Sequence, residues 1–127
     1  MKRTKHGDFE ETVKFLCWSD FKIHIIFSND LAKSRIARYE TAGVAADSST
    51  EALFTGGAGG YGHLFFKHDA CARVIAHECW HAIWWMMTWA GVKDWDNETL
   101  AYHLGYLVGR ASEFQAKVLS QIQRSKR

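Results

Sequence analysis

Residues Ala70–Ala90 read ACARVIAHECWHAIWWMMTWA, with apolar side chains on nearly every side of a helix. A helix that is apolar all round is typical of the interior of a domain. Asp69 can cap the first turn, and Gly91 followed by Val92 predicts a left-handed stop after the last turn. We therefore predict a buried central helix from about residue 70 to about residue 90, with its tryptophans in the core or in a subunit interface.

Two histidines and a glutamate lie in the middle of this apolar helix, namely His77, Glu78 and His81. Residues four positions apart share a helix face, so His77 and His81 direct two imidazoles toward one point. Two imidazoles are two of the ligands that a tetrahedral zinc ion takes. Glu78 lies about 100° further around the helix, where a carboxylate can reach a water on the metal without binding the metal itself. Because buried polar groups are costly unless they are satisfied, this placement predicts a metal site.

A second long helix is predicted from residues 96–97 to about residue 123. Within it Ala101, Gly105 and Gly109 recur every four residues and form a stripe of small side chains. A glycine inside a helix costs about 1 kcal/mol relative to alanine, so two on one stripe suggest close packing. We therefore predict that this stripe contacts the central helix.

The third metal ligand is expected from the first turn of that second helix, where Glu98 lies on the same side as the small-residue stripe. Two imidazoles, one carboxylate and an open water position make a catalytic zinc site. His103, Asp94 and Asp96 remain alternative ligands. His103 is about 140° around the helix from Glu98, so we do not expect both to bind one ion.

The N-terminal half of the chain carries strand signals. Apolar residues alternate over residues 21–27, as a half-buried strand requires. His24 points to the opposite face of this strand and is interpreted as a surface or satisfied histidine. Residues 11–18 fit either a strand or a short helix, and Asn29-Asp30 can cap a helix from Leu31 to about Thr41.

A glycine-rich segment, residues 56–62, separates two predicted strands over residues 52–55 and 63–67. It lacks the Lys-Ser/Thr of a phosphate-binding loop, so we interpret it as a mobile hairpin connection. Together these elements predict an α+β fold in a single domain, residues 1–127. A small antiparallel or mixed sheet would pack on the central helix and on the second long helix, with residues 1–8 and 124–127 flexible.

Composition restricts the classes of partner. The chain has 127 residues and a net charge of +2, which is too small to indicate nucleic-acid binding. We see neither an export signal nor an apolar run of about 20 residues, the length that spans a membrane. The three cysteines form no Cys-x-x-Cys pair, which favours a reducing cytoplasm. Cys79, on a different helix face from His77, is expected to be a core thiol and not a ligand.

His77-Glu78-x-x-His81 followed by Asn97-Glu98 resembles the gluzincins, the thermolysin-like metallopeptidases whose third ligand lies in an Asn-Glu-x-x-Ser-Asp motif. A longer similarity, to small zinc metallopeptidases encoded by phages and prophages, covers about the C-terminal half. It rests on three runs: Gly60-Tyr61-Gly62-His63, Ala76–Ala82 and Asn97-Glu98-x-x-Ala101-Tyr102. The sequence departs from the larger enzymes in having Ala101-Tyr102 in place of Ser-Asp. It also has no histidine after His103 to match their distal one.

The resemblance implies a minimal zincin-like fold with Zn²⁺ ligands at His77, His81 and Glu98. It implies peptide-bond hydrolysis by a metal-activated water, with Glu78 as the catalytic base, and a host-cytoplasm location if the chain is phage-encoded. Tyr102, one helical turn after Glu98, is our candidate for stabilising the oxyanion, with Tyr61 and His63 as alternatives.

The expected partner is a peptide or protein substrate, bound by strand addition to an edge strand over His63–Lys67. The alternative function is a non-catalytic, zinc-stabilised binding or phage-assembly protein. A homo-oligomer formed through the tryptophan-rich or glycine-striped helices would fit either function.

Overall fold

A computed structural model describes residues 1–4, 7–15, 21–31, 33–34, 51–56, 60–91 and 97–126. These residues form five strands and two long helices. The strands are β1 (Lys2–Arg3), β2 (Phe9–Lys14), β3 (Lys22–Ser28), β4 (Ala52–Gly56) and β5 (Tyr61–Lys67). The helices are α1 (Ala72–Trp89) and α2 (Asn97–Ser125).

The strands make one mixed sheet in the order β1-β2-β3-β5-β4. β3 and β5 are parallel, with Ile25 beside Leu64, whereas the other neighbouring pairs are antiparallel. This confirms the predicted α+β class and a mixed sheet. β3 confirms the strand predicted over residues 21–27, shifted by one residue, and residues 11–14 form part of β2, so a strand and not a helix occurs there.

Of the two hydrophobic clusters among the described residues, the larger lies between the sheet and the two helices. α1 covers β4 and β5, while α2 packs on α1 and on β2 and β3. Phe27 of β3 meets Phe114 of α2 edge to face, with ring centroids 5.2 Å apart. Side chains alternate between the two faces of β3. The face toward the helices carries the fully buried side chains Ile23, Ile25 and Phe27.

The predicted hairpin is confirmed, because β4 and β5 pair antiparallel and Gly56 lies opposite Gly62. Gly60, in the connection between them, has a φ of 80°, which explains a glycine at that position. However, β5 lies between β3 and β4. The prediction of an edge strand over His63–Lys67 is therefore wrong, and β4 is the edge strand on that side of the described sheet.

Helix α1 has the predicted bounds within two residues, but it is not buried all round. Trp80, Trp84 and Trp89 are 37%, 52% and 65% exposed, because only the sides facing the sheet and α2 are covered. The predicted cap at Asp69 is also wrong, since the N-cap residue is Cys71 and makes no side-chain capping bond. Gly91 has a φ of 76°, which confirms the left-handed stop.

Helix α2 buries the face opposite to the one predicted. Its buried residues recur at helical spacing and are His103, Leu107, Ala111, Phe114 and Val118. Ala101, Gly105 and Gly109 are all exposed. A Cβ built on either glycine meets nothing within 4 Å. The predicted contact between this small-residue stripe and α1 is therefore wrong.

The ends of the chain are more regular than predicted. Lys2 and Arg3 form β1, which pairs with β2, and α2 extends to Ser125. The Oδ1 atom of Asp30 accepts a hydrogen bond from the Lys33 backbone N–H at 3.0 Å, which confirms the predicted cap. The predicted helix beyond Ser34 lies outside the described residues. Within the described ranges, neither α1 nor α2 is apolar over a length that would cross a membrane.

Candidate metal centre

The two histidines of α1 face each other at a distance that suits a shared metal ion. His77 and His81 have their Nε2 atoms 3.1 Å apart. Their ring centroids are 4.8 Å apart, and the ring planes meet at 76°. Two nitrogens on one tetrahedral zinc, each bonded at about 2.05 Å, are about 3.3 Å apart. The helix therefore places both donor atoms near the required separation before any ion binds.

Glu78 completes a three-residue group on α1. The ligand atoms of His77, Glu78 and His81 all lie within 4.8 Å of one another. Among the described residues, this is the group of histidine, cysteine and acidic side chains that could hold a metal. Glu78 is half-buried, whereas both histidines are exposed. Its carboxylate is thus held beside the imidazoles at a reach that suits a bridging water.

The histidines lie on the solvent-facing side of α1, on one stripe with Trp84 and Thr88. Water can satisfy exposed imidazoles, and here the two rings also share a hydrogen bond. Burial therefore does not require a metal at this place, contrary to the prediction from the apolar helix. What favours an ion is the convergence of the two ring nitrogens, together with the adjacent carboxylate.

Glu98 lies in the first turn of α2, where it was predicted, and its side chain is exposed. It is not a member of the group formed by His77, Glu78 and His81. His81 precedes the end of α1 at Trp89 by eight residues, about 12 Å along the axis. Binding by Glu98 therefore requires α2 to begin beside the middle of α1. The role of Glu98 as third ligand stays a prediction.

Of the alternatives to Glu98 as the third metal ligand, His103 is among the described residues. His103 is 4% exposed, and its ring lies beside Phe15 with centroids 6.0 Å apart. Its Nδ1 donates to the Thr99 carbonyl at 2.8 Å. His103 therefore belongs to the core and not to the group on α1. Asp94 and Asp96 lie outside the described residues.

The candidates for stabilising an oxyanion lie on different sides of the molecule. Tyr102 is 64% exposed on α2, one turn after Glu98, as predicted. Tyr61 and His63 alternate with Gly62, whose α-carbon faces Trp85 of α1. Side chains of a strand alternate between faces, so Tyr61 and His63 point to the face of the sheet away from α1. Neither side chain is therefore directed toward α1.

The far face of the sheet instead holds a stack of rings that the sequence did not reveal. His24 lies 4.8 Å from His63 and 5.9 Å from Tyr61, measured between centroids, and is nearly parallel to Tyr61. The Nδ1 atom of His24 also makes a 2.9 Å hydrogen bond with the Thr12 hydroxyl. This confirms the interpretation of His24 as a satisfied histidine.

Cys79 is confirmed as a core thiol. It has no exposed surface. Burial raises the pKa of Cys79 to about 12, and the neighbouring charge of Glu78 acts in the same direction. A metal ligand must be a thiolate, so the environment of this side chain disfavours coordination.

Trp85 anchors the metal-site helix to the sheet, and sequence reasoning missed this role. Its indole lies against Gly56 and Gly62, where a Cβ would fall 2.3 Å from its Nε1 and 3.1 Å from its Cζ3, respectively. The ring also makes edge contacts with Phe21 and Phe54. The signal in the sequence was the run of glycines, which leaves room for an indole as well as forming a turn.

Comparison of the chain with protein-family models, with curated proteins and with solved structures finds no match to any of them. The site consists of two convergent imidazoles and one carboxylate on a helix that is anchored to a mixed sheet.

Proposed function

We propose that the chain is a zinc-dependent peptidase with a minimal zincin-like fold, in which His77 and His81 hold the metal. The observation that carries the proposal is the 3.1 Å separation of the two Nε2 atoms, with the Glu78 carboxylate in the same group. Bound zinc in such a site lowers the pKa of water toward about 7 and polarises a carbonyl group. Glu98 is proposed as the third protein ligand.

Glu78 is proposed as the general base. Its carboxylate accepts a proton from the attacking water and then passes that proton to the leaving amine. The half-buried position of Glu78 beside the two exposed imidazoles supports this role, because the backbone of α1 fixes all three groups. Tyr102 is proposed to donate a hydrogen bond to the developing oxyanion.

An extended peptide is the proposed substrate. Among the described strands, β4 is the edge strand next to α1, and an edge strand can accept a further strand. The Trp85 indole holds α1 directly against Gly56 at the end of β4. A peptide paired with β4 would therefore extend the sheet at the edge beside α1.

Metal binding is tested first, by zinc titration and elemental analysis of the wild type, His81→Ala and His24→Ala. We expect one zinc per chain in the wild type and in His24→Ala, a matched loss of a histidine away from α1. His81→Ala should lose affinity at least a hundredfold, because one of two imidazole ligands is removed. Equal zinc uptake by all three proteins would refute the site.

Turnover is tested by cleavage of a mixed peptide library with zinc-loaded protein. Glu78→Gln should retain zinc and lose about 10²-fold to 10⁴-fold in rate, the usual contribution of general acid–base catalysis. Tyr102→Phe should also retain zinc and show a lower kcat. Glu98→Gln should weaken zinc binding, and unchanged affinity in that variant would remove Glu98 from the ligand set.

A zinc-linked assembly protein without turnover is the second candidate. It is favoured by the exposed tryptophans Trp80 and Trp84, which flank the histidines on α1 and have ring centroids 6.2 Å apart. In that case zinc would join two copies through their α1 faces. The solution mass would double on adding zinc, and Glu78→Gln would change nothing.

A further inference from the structure

A cavity lies at the opposite end of the sheet from the β4–β5 turn, and nothing in the proposed peptidase uses it. Its volume is about 640 Å³, within the range of small-molecule sites. Ser28 and Asn29 line it at the carboxyl end of β3, and Lys67 and His68 do so at the carboxyl end of β5. Sheets with parallel strands commonly bind ligands outside the carboxyl ends of those strands.

The charged side chains in the wall are mostly cationic. Arg3 comes from β1, Lys67 from the end of β5 and Lys126 from just beyond α2, whereas Asp69 is the acidic residue in the described wall. The guanidinium of Arg3 lies 4.6 Å from the ring centroid of Phe9. This cation is therefore positioned against a ring that itself lines the cavity. Three separated elements thus direct positive charge into one space.

His68 contributes a half-buried imidazole to the wall of the cavity. Its Nε2 atom is buried and has no hydrogen-bond partner among the described residues. Buried polar atoms almost always have a partner, and leaving one without costs free energy. Because Nε2 is itself buried, a molecule in the cavity would meet the other atoms of the His68 ring, which lines the wall. The apolar part of the wall comes from Phe9, Leu119 and Ile122.

We propose that this cavity binds a small organic anion, with a carboxylate or phosphate head group placed among Arg3, Lys67 and Lys126 and an apolar body placed against Phe9 and Ile122. None of the residues on α1 that form the candidate metal centre lines it. The site is therefore separate from the proposed peptidase, and its ligand is recognised by charge and by apolar contact together.

The test uses the full chain with EDTA present and follows backbone amide shifts by NMR. The probes are hexanoate, hexyl phosphate, the neutral hexanol and the tail-less acetate. We expect hexanoate or hexyl phosphate to shift residues around His68 and Ile122 and to bind at least tenfold more tightly than hexanol or acetate. The tighter of the two anionic probes identifies the head group.

Charge variants decide whether the named cations do the binding. Lys126→Gln and Arg3→Gln should each weaken the preferred probe about threefold to tenfold, the scale of a partly screened ionic contact. Lys117→Gln is the matched control, because this exposed lysine of α2 does not line the cavity. Equal weakening in Lys117→Gln, hexanol binding as tightly as the preferred anionic probe, or no binding by either anionic probe would overturn the proposal. His81→Ala should leave the affinity unchanged whether or not the metal site exists.

Discussion

Replacing Gly105 by alanine should make the protein more stable. Gly105 lies inside α2, is exposed, and has nothing within 4 Å of a built Cβ. Alanine is favoured over glycine inside a helix by about 0.5–1 kcal/mol, mainly because glycine loses more backbone freedom on folding. A domain of 127 residues has an unfolding entropy of about 0.27 kcal/mol per kelvin. Gly105→Ala should therefore raise Tm by about 2–4 °C.

Thermal unfolding followed by circular dichroism at 222 nm measures this change. The sign of the shift separates two arrangements of the helices. If the small-residue stripe packed on another helix, the added methyl would overfill the contact and cost about 1–3 kcal/mol. A lower Tm for Gly105→Ala would thus refute the exposed placement of the stripe.

Gly56→Ala is the matched control, since the same chemical change should have the opposite effect. The new Cβ would lie 2.3 Å from Nε1 and 2.5 Å from Cδ1 of Trp85. Relieving that overlap requires the indole, and with it α1, to shift against β4. Overpacking of this kind costs about 1–3 kcal/mol, which corresponds to a Tm lower by about 4–11 °C. An unchanged Tm would mean that Trp85 does not anchor the helix.

Two further predictions concern buried titratable groups. Burial lowers the pKa of His68, although the nearby acidic groups Asp8 and Asp69 oppose the shift. The His68 imidazole therefore binds a proton more readily in the unfolded chain than in the folded one, and native stability should fall as pH drops below about 6.5. His68→Asn should reduce the difference between urea midpoints at pH 7.5 and pH 5.5. A difference equal to that of the wild type would show that His68 does not cause the loss of stability at low pH. In a Cys17→Ser background, a disulfide reagent at pH 8 should react rapidly with exposed Cys71 and with Cys79 only on unfolding, because burial raises the pKa of Cys79 to about 12. Rapid modification of both thiols in the native protein would show that Cys79 is accessible.

Local patterns predicted the secondary structure well. The alternation over residues 21–27 became β3, and the helices were placed to within about two residues of α1 and α2. The pairing of His77 with His81 was equally predictable, because helix geometry alone brings side chains four residues apart together. Each of these features depends on residues that are close together in the chain, so the local sequence is sufficient to predict it.

The faces and edges of the elements were not predictable in this way. The sequence of α1 is apolar on nearly every side, yet Trp80 and Trp84 are exposed because α2 and the sheet cover only the other sides. The glycine stripe of α2 was assigned to the wrong face, and β5 was taken for an edge strand. Which face is buried depends on contacts between segments far apart in the chain, and no local period encodes those contacts.

The same distinction between local spacing and tertiary packing applies to the candidate site. Sequence alone fixes the ligand types and the spacing of His77, Glu78 and His81, since one helix carries all three residues. Packing decides that both imidazoles face solvent, that His103 lies in the core, and that His63 points to the far side of the sheet. The physical reason is that a helix sets the distance between its own side chains, whereas their surroundings are set by the elements that pack against it.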